Sequence, residues 1–156
     1  MTVFTATKPK CVQTNNGVAW ATSIKVNGIV VAKISNDGRG ACDDHHWLDK
    51  SHVDEFVAQT EAYNAGLKEN LHAMFDKKDH RGQPGADFCS GFVEHLMQEA
   101  EKLALFERDC KKHVVVQLPG KDTLSLVKNT RPTPELVAKL KKQYPGIKIL
   151  NPGFDK

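Results

Sequence analysis

Val18-Ala-Trp-Ala-Thr-Ser-Ile-Lys-Val26-Asn27-Gly28-Ile29-Val-Val-Ala-Lys-Ile-Ser35 is the stretch from which the fold can be read. Two runs rich in β-branched residues flank Asn27-Gly28, and a two-residue hairpin turn needs residues that tolerate positive φ at both positions. The pattern predicts strands over Val18–Val26 and Ile29–Ser35, with Val26 facing Ile29 and Ile24 facing Val31. Trp20 and Thr22 continue that face away from the turn.

Downstream, Ser51-His-Val-Asp54 has the form of a capping box. Val53, Phe56, Val57, Tyr63, Leu67, Leu71 and Met74 recur at helical spacing, which predicts a helix from about Val53 to Phe75. Asp76–Gly85 is polar and glycine-rich and reads as a surface loop. Asp87 is placed to cap a second helix running to about Cys110, with Cys89, Phe92, Val93, Leu96, Ala100 and Leu103 on one face. The two helices are expected as an antiparallel pair on the sheet, with Trp20, Tyr63 and the helix phenylalanines in the core. His113–Leu118 and Thr123–Lys128 around Pro119–Asp122 predict a second hairpin. Thr133-Pro134 starts a short helix ending near Tyr144, and Ile147–Leu150 reads as a last strand. The order β-β-α-α-β-β-α-β predicts one α+β domain over 1–156. Its mostly antiparallel sheet would combine two hairpins and a C-terminal strand, beside a helical pair and a short C-terminal helix.

Of the 156 residues, 40% are hydrophobic and 26% charged, which fits a folded chain and excludes wholesale disorder. No run approaches the roughly 20 apolar residues that span a bilayer, and the first ten residues lack an apolar run of signal-peptide length. A cytoplasmic protein without membrane partners is expected. Cys11, Cys42, Cys89 and Cys110 form no C-x-x-C pair, so reduced thiols are expected. Residues 1–110 carry 12 Lys and Arg against 16 Asp and Glu; residues 111–156 carry 10 against 3. The basic C-terminal part suits either a solvated surface or a phosphate-bearing partner. Its lysines lack interleaved aromatics, so nucleic-acid reading is not expected.

Chemistry concentrates in Asn36-Asp-Gly-Arg-Gly-Ala-Cys-Asp-Asp-His-His-Trp47. In one reading Asn36, Asp37, Gly38, Arg39 and Gly40 present backbone N–H groups and a guanidinium to phosphate or ribose, with Trp47 stacking on a base. In a second, Asp43, Asp44, His45 and His46 bind Zn²⁺ or Mn²⁺ for hydrolysis. Alternation in an extended segment puts Asp43 with His45 and Asp44 with His46 on opposite sides, so remote ligands such as His52, His80 or His113 would be needed. A third makes Cys42 a nucleophile, against the raising effect of its acidic neighbours. A purely structural reading makes Asn36-Asp37-Gly38 a turn and Trp47 a core plug. Lys128, Asn129, Thr130 and Arg131 form a second candidate before a helix N-terminus, where unpaired N–H groups favour an anion.

Ile34-Ser-Asn-Asp-Gly-Arg-Gly40 followed by His46-Trp47 resembles a group of small bacteriophage accessory proteins. That group often carries a Gly pair where this chain has Gly40-Ala41. The resemblance implies a small accessory protein acting in a host bacterial cytoplasm, in a class that includes inhibitors of host immunity. The expectation is a non-enzymatic homo-oligomer that needs no cofactor and sequesters a small nucleotide-type signal. Alternatives are a metal-dependent hydrolase or nuclease, and an inhibitor that contacts a host protein directly.

Overall fold

The structure, a computed structural model, describes residues 2–69 and 74–154. The chain has an α+β fold with antiparallel sheets. The chain gathers into two compact units, Met1–Glu101 and Lys102–Lys156, and the strands expected in one sheet form two, one in each unit.

In the first unit β1 (Phe4–Ala6), β2 (Lys10–Thr14), β3 (Gly17–Val26), β4 (Ile29–Asn36) and β5 (Asp44–Trp47) form a five-stranded sheet. The hairpin anticipated from Asn27-Gly28 is present: Asn27 has φ 50° and Gly28 φ 81°, and Val26 faces Ile29. Further along the register departs from expectation, because Ile24 pairs with Ala32 rather than Val31. The extra residue is a bulge. It lets Val31 and Ala32, adjacent in sequence, both be buried, and frees the Val31 carbonyl to accept from Leu48 N (2.9 Å) and Asp49 N (3.1 Å). β1 and β2 share one edge of β3; β4 takes the other and carries β5.

A 3-10 turn (Lys50–His52), capped by Asp49, which accepts from Ser51 N at 3.0 Å, leads into α1 (Val53–Ala65); the expected Ser51 capping box is absent, and the N-cap of α1, His52, makes no side-chain cap bond. The expected helix to Phe75 is too long. α1 stops before Gly66, whose N–H bonds back to Tyr63 O at 3.1 Å. Leu71 lies outside the described residues, and Met74 is exposed. α2 (Ala86–Lys112) carries Asp87 in its first turn instead of at its cap. Phe56 and Val57 of α1 join Phe88, Cys89, Phe92, Val93 and Leu96 of α2 and Ile24, Val26, Val31, Ile34 and Trp47 of the sheet in one core. Phe56 sits at its centre, 5.1 Å from the rings of Phe4 and Trp47 and 5.3 Å from Phe92.

In the second unit β6 (Val114–Gln117) pairs with β7 (Leu124–Val127) and β8 (Lys148–Ile149), and α3 (Pro134–Gln143) covers one face through Val137 and Leu140. Thr133 caps α3, accepting from Leu136 N. Asn151 closes this unit. It is 1% exposed, accepts from Val115 N at 2.7 Å and donates to the carbonyls of Cys110 (3.1 Å) and His113 (2.8 Å).

Candidate functional site

The segment after β4 folds on itself. Asn36 Oδ1 accepts from Gly38 N at 2.8 Å, its Nδ2 donates to Ala41 O (3.0 Å) and Asp43 Oδ1 (2.9 Å), and Asp37 Oδ1 accepts from Arg39 N at 2.9 Å. The N–H groups of Gly38 and Arg39, expected to meet a phosphate, are thus satisfied by the segment's own side chains. Gly38 (φ 72°) lies against β3: a Cβ there would meet Ala19 N at 2.6 Å. Gly40 stands in open space and Arg39 is exposed. Asn36-Asp37-Gly38 is a turn and Trp47 is core.

β5 was not anticipated, because Asp44-His-His-Trp47 has little β-propensity of its own; pairing with β4 makes it a strand. Alternation sends His45 and Trp47 inward and Asp44 and His46 outward. Trp47, 5% exposed and edge-on to Phe56, keeps no open face for a base to stack on. The two histidines of the metal reading lie on opposite faces, as alternation predicts. Among the described residues no three His, Cys, Asp or Glu side chains are grouped to hold an ion. Asp43 is raised above the usual carboxylate range by burial, against the Asn36 hydrogen bond and with the Asp87 charge adding to the rise. Cys42 donates to Asp87 Oδ2 at 3.6 Å; that bond and the Asp87 charge raise its thiol, opposite to what a nucleophile needs.

His45 is 3% exposed and neither ring nitrogen has a hydrogen-bond partner among the described residues. Burial lowers its pKa to about 4, outweighing the Asp44 and Asp79 charges, and Arg81 lowers it further. An unfolded histidine titrates near 6.5. Between these values the unfolded chain binds the proton and the folded one does not. Stability is therefore lost as pH falls from about 6.5 to about 4, by roughly 3 kcal/mol for the full span. Urea midpoints measured at pH 7 and pH 5 should differ, and His45→Phe should shrink the difference; an unchanged difference would move its origin away from His45.

The outer face of the same sheet carries a groove that the motifs did not indicate. It encloses about 450 Å³ and is lined by Thr7, Lys8, Lys10, Ala21, Thr22, Ser23, Lys33, Ile34 and Ser35. Register builds it from two rows: Lys10–Ala21–Ser35, ending on Asp44 of β5, and Ser23–Lys33, ending on His46. Thr7 holds the link from β1 to β2 in place: its N donates to Ser23 O (2.9 Å), its Oγ1 accepts from Ser23 N (3.0 Å), and its carbonyl accepts from Thr22 Oγ1 (2.7 Å). Lys8 is carried on that link. Among the described residues Lys8, Lys10 and Lys33 form no ion pair, and the Ser23 and Ser35 hydroxyls form no hydrogen bond. A sequence signal existed. The first 36 residues contain Lys8, Lys10, Lys25 and Lys33 and not one Asp or Glu. Averaging charge over 1–110 hides this block behind the acids that follow it.

In the second unit Lys128, Asn129, Thr130 and Arg131 form a loop before α3. Asn129 (φ 56°) donates its N–H to His113 Nδ1 at 2.9 Å, and Thr130 Oγ1 donates to Lys128 O at 3.1 Å. The expected anion position at the α3 N-terminus is taken by Glu135, whose own N–H and the Thr133 hydroxyl hold its carboxyl below the usual range. Lys128 and Arg131 remain exposed. Asn36–Gly40 with Trp47 and Lys128–Arg131 fall in different units. No helix among the described residues is long and apolar enough to cross a membrane. Compared with known protein families, curated proteins and solved structures, the chain matches none.

Proposed function

We propose that the protein binds a small phosphate-bearing ligand of the nucleotide type without transforming it, and that the groove on the outer face of the five-stranded sheet receives it. The observation that carries this reading is the set of unpaired cations Lys8, Lys10 and Lys33 around a floor of small and hydroxyl side chains, in a segment free of acids. Ammonium groups without internal partners supply charge to a phosphate at no cost in broken ion pairs. Ser23 and Ser35 add hydrogen-bonding hydroxyls suited to phosphate or ribose oxygens, while Ala21 leaves room between the cations. Asn36–Gly40 continues from Ser35 and brings Arg39 as a further exposed cation. With the resemblance to phage accessory proteins, the proposal extends to sequestration of a host nucleotide signal.

Native mass spectrometry before and after incubation with linear nucleotides, cyclic nucleotides and cyclic ADP-ribose isomers is the direct test. The expected result is a stoichiometric mass gain, with the ligand released intact on denaturation. Replacing both Lys10 and Lys33 by alanine should weaken binding roughly 30-fold, the equivalent of about 2 kcal/mol for two charge-assisted contacts. Arg131→Ala should leave it within about threefold. Binding that survives the double replacement and is lost in Arg131→Ala would transfer the site to the second unit. A ligand released in altered form would make the protein an enzyme.

A further inference from the structure

We propose that β2 is a self-association edge, joining two copies of this chain into one continuous antiparallel sheet. Among the described residues β2 pairs with β3 alone, so its other side presents the N–H and C=O groups of alternate residues without a strand partner. Native proteins blunt such edges with short strands, prolines, bulges or charged side chains. Lys10-Cys-Val-Gln-Thr14 holds no proline and no bulge, and its one charge stands at its first residue, so residues 11–14 are left unguarded. Its first four residues are exposed, with Val12 64% accessible, and Val18 on the neighbouring strand is 46% accessible.

The occupant that fits is a second β2. A two-fold axis through Val12 sets Val12 against Val12, Cys11 against Gln13 and Lys10 against Thr14, so an apolar pair lies at the centre and no like charges are opposed. The two Lys10 Cα atoms would stand about 14 Å apart by strand geometry. That exceeds the roughly 8 Å screening length at physiological salt, so their repulsion is small. A two-fold that pairs antiparallel strands is perpendicular to the sheet and leaves both outer faces on the same side. The two lysine grooves would then lie on one surface, each with the partner's Thr14 beside Lys10; this last consequence rests on the groove reading, whereas the pairing does not. Five residues bury less than the roughly 1,200 Å² of a standard stable interface, so association belongs at concentrations on the order of 100 µM.

Sedimentation of the full chain without nucleotide, from about 10 to 1,000 µM, tests the pairing. The weight-average mass should rise toward twice the 17.3 kDa of one chain. Val12→Glu, at an exposed position that folding tolerates, should hold the protein monomeric with an unchanged circular dichroism spectrum. Val12→Cys, with Cys11 and Cys42 replaced by serine, should close to a disulfide-linked dimer on mild oxidation, because the axis puts those two thiols opposite each other. A monomer at every concentration, or a dimer that Val12→Glu leaves intact, overturns the proposal. Neither outcome touches the groove, which the Lys10 and Lys33 replacements address separately.

Discussion

Truncating Phe56 to alanine should cost the first unit roughly 3–5 kcal/mol, the range for removing a fully buried phenyl ring without collapse around the cavity. Collapse is blocked because the ring is held by three different elements. Phe4 comes from β1, Trp47 from β5 and Phe92 from α2, and Phe56 itself stands on α1. These partners are fixed by sheet pairing and helix backbone, so the space cannot be closed by one moving side chain. Trp20 and Trp47 both belong to this unit, and tryptophan fluorescence during urea unfolding reports on it directly. A loss under about 1 kcal/mol would mean that the surroundings do relax and that Phe56 is not the keystone of this core.

The corresponding position in the second unit is polar. Asn151→Ala should cost about 3 kcal/mol, because it removes the partner of a buried N–H and of two backbone carbonyls at one stroke. Asn151→Asp should do no better. A carboxylate accepts from Val115 N but cannot donate to the carbonyls of Cys110 and His113, and would set negative charge against both. Amide exchange at Val115 is the sharpest reporter: it should accelerate in both variants while the tryptophan signal of the first unit stays as it was. Equal slowing of exchange in wild type and Asn151→Ala would show that the side chain is dispensable.

Much of this fold was legible in the sequence wherever local chemistry and tertiary packing agree. Asn27-Gly28 announces its hairpin, Thr133-Pro134 announces α3, and the apolar spacing of Cys89, Phe92, Val93 and Leu96 marks the inner face of α2. Legibility fails where a partner strand decides. β5 holds a single strand-favouring residue, Trp47, and becomes a strand because β4 offers an edge. β1 and β2 are short and separated by Pro9, and β2 is largely exposed, so no apolar alternation betrays them. The bulge at Val31 depends on Leu48 and Asp49 coming back to its carbonyl, a contact that the hairpin alone cannot announce.

The candidate site followed the same logic. Asn36–Trp47 drew attention because it is dense in functional groups, yet that density is what lets it satisfy itself, with Asn36 and Asp37 occupying the very N–H groups offered to a ligand. The groove is assembled from lysines and serines that sit far apart in the chain and are unremarkable singly. Only the strand register sets Ser35 beside Ala21 and Lys10, and Lys33 beside Ser23.

β3 is the spine of the first unit, with β1 and β2 dividing one of its edges and β4 along the other. This arrangement makes the sheet's outer pieces separable in time. The β3–β4 hairpin needs only a short loop closure and can form before anything else is in place, whereas β1 must return over some twenty residues to reach Val26. Because β1 and β2 hold different stretches of β3, either can peel away while the other stays docked. Thr7, at the joint between the two, is the point that any opening at β1 must pass before it reaches Lys8 and Lys10.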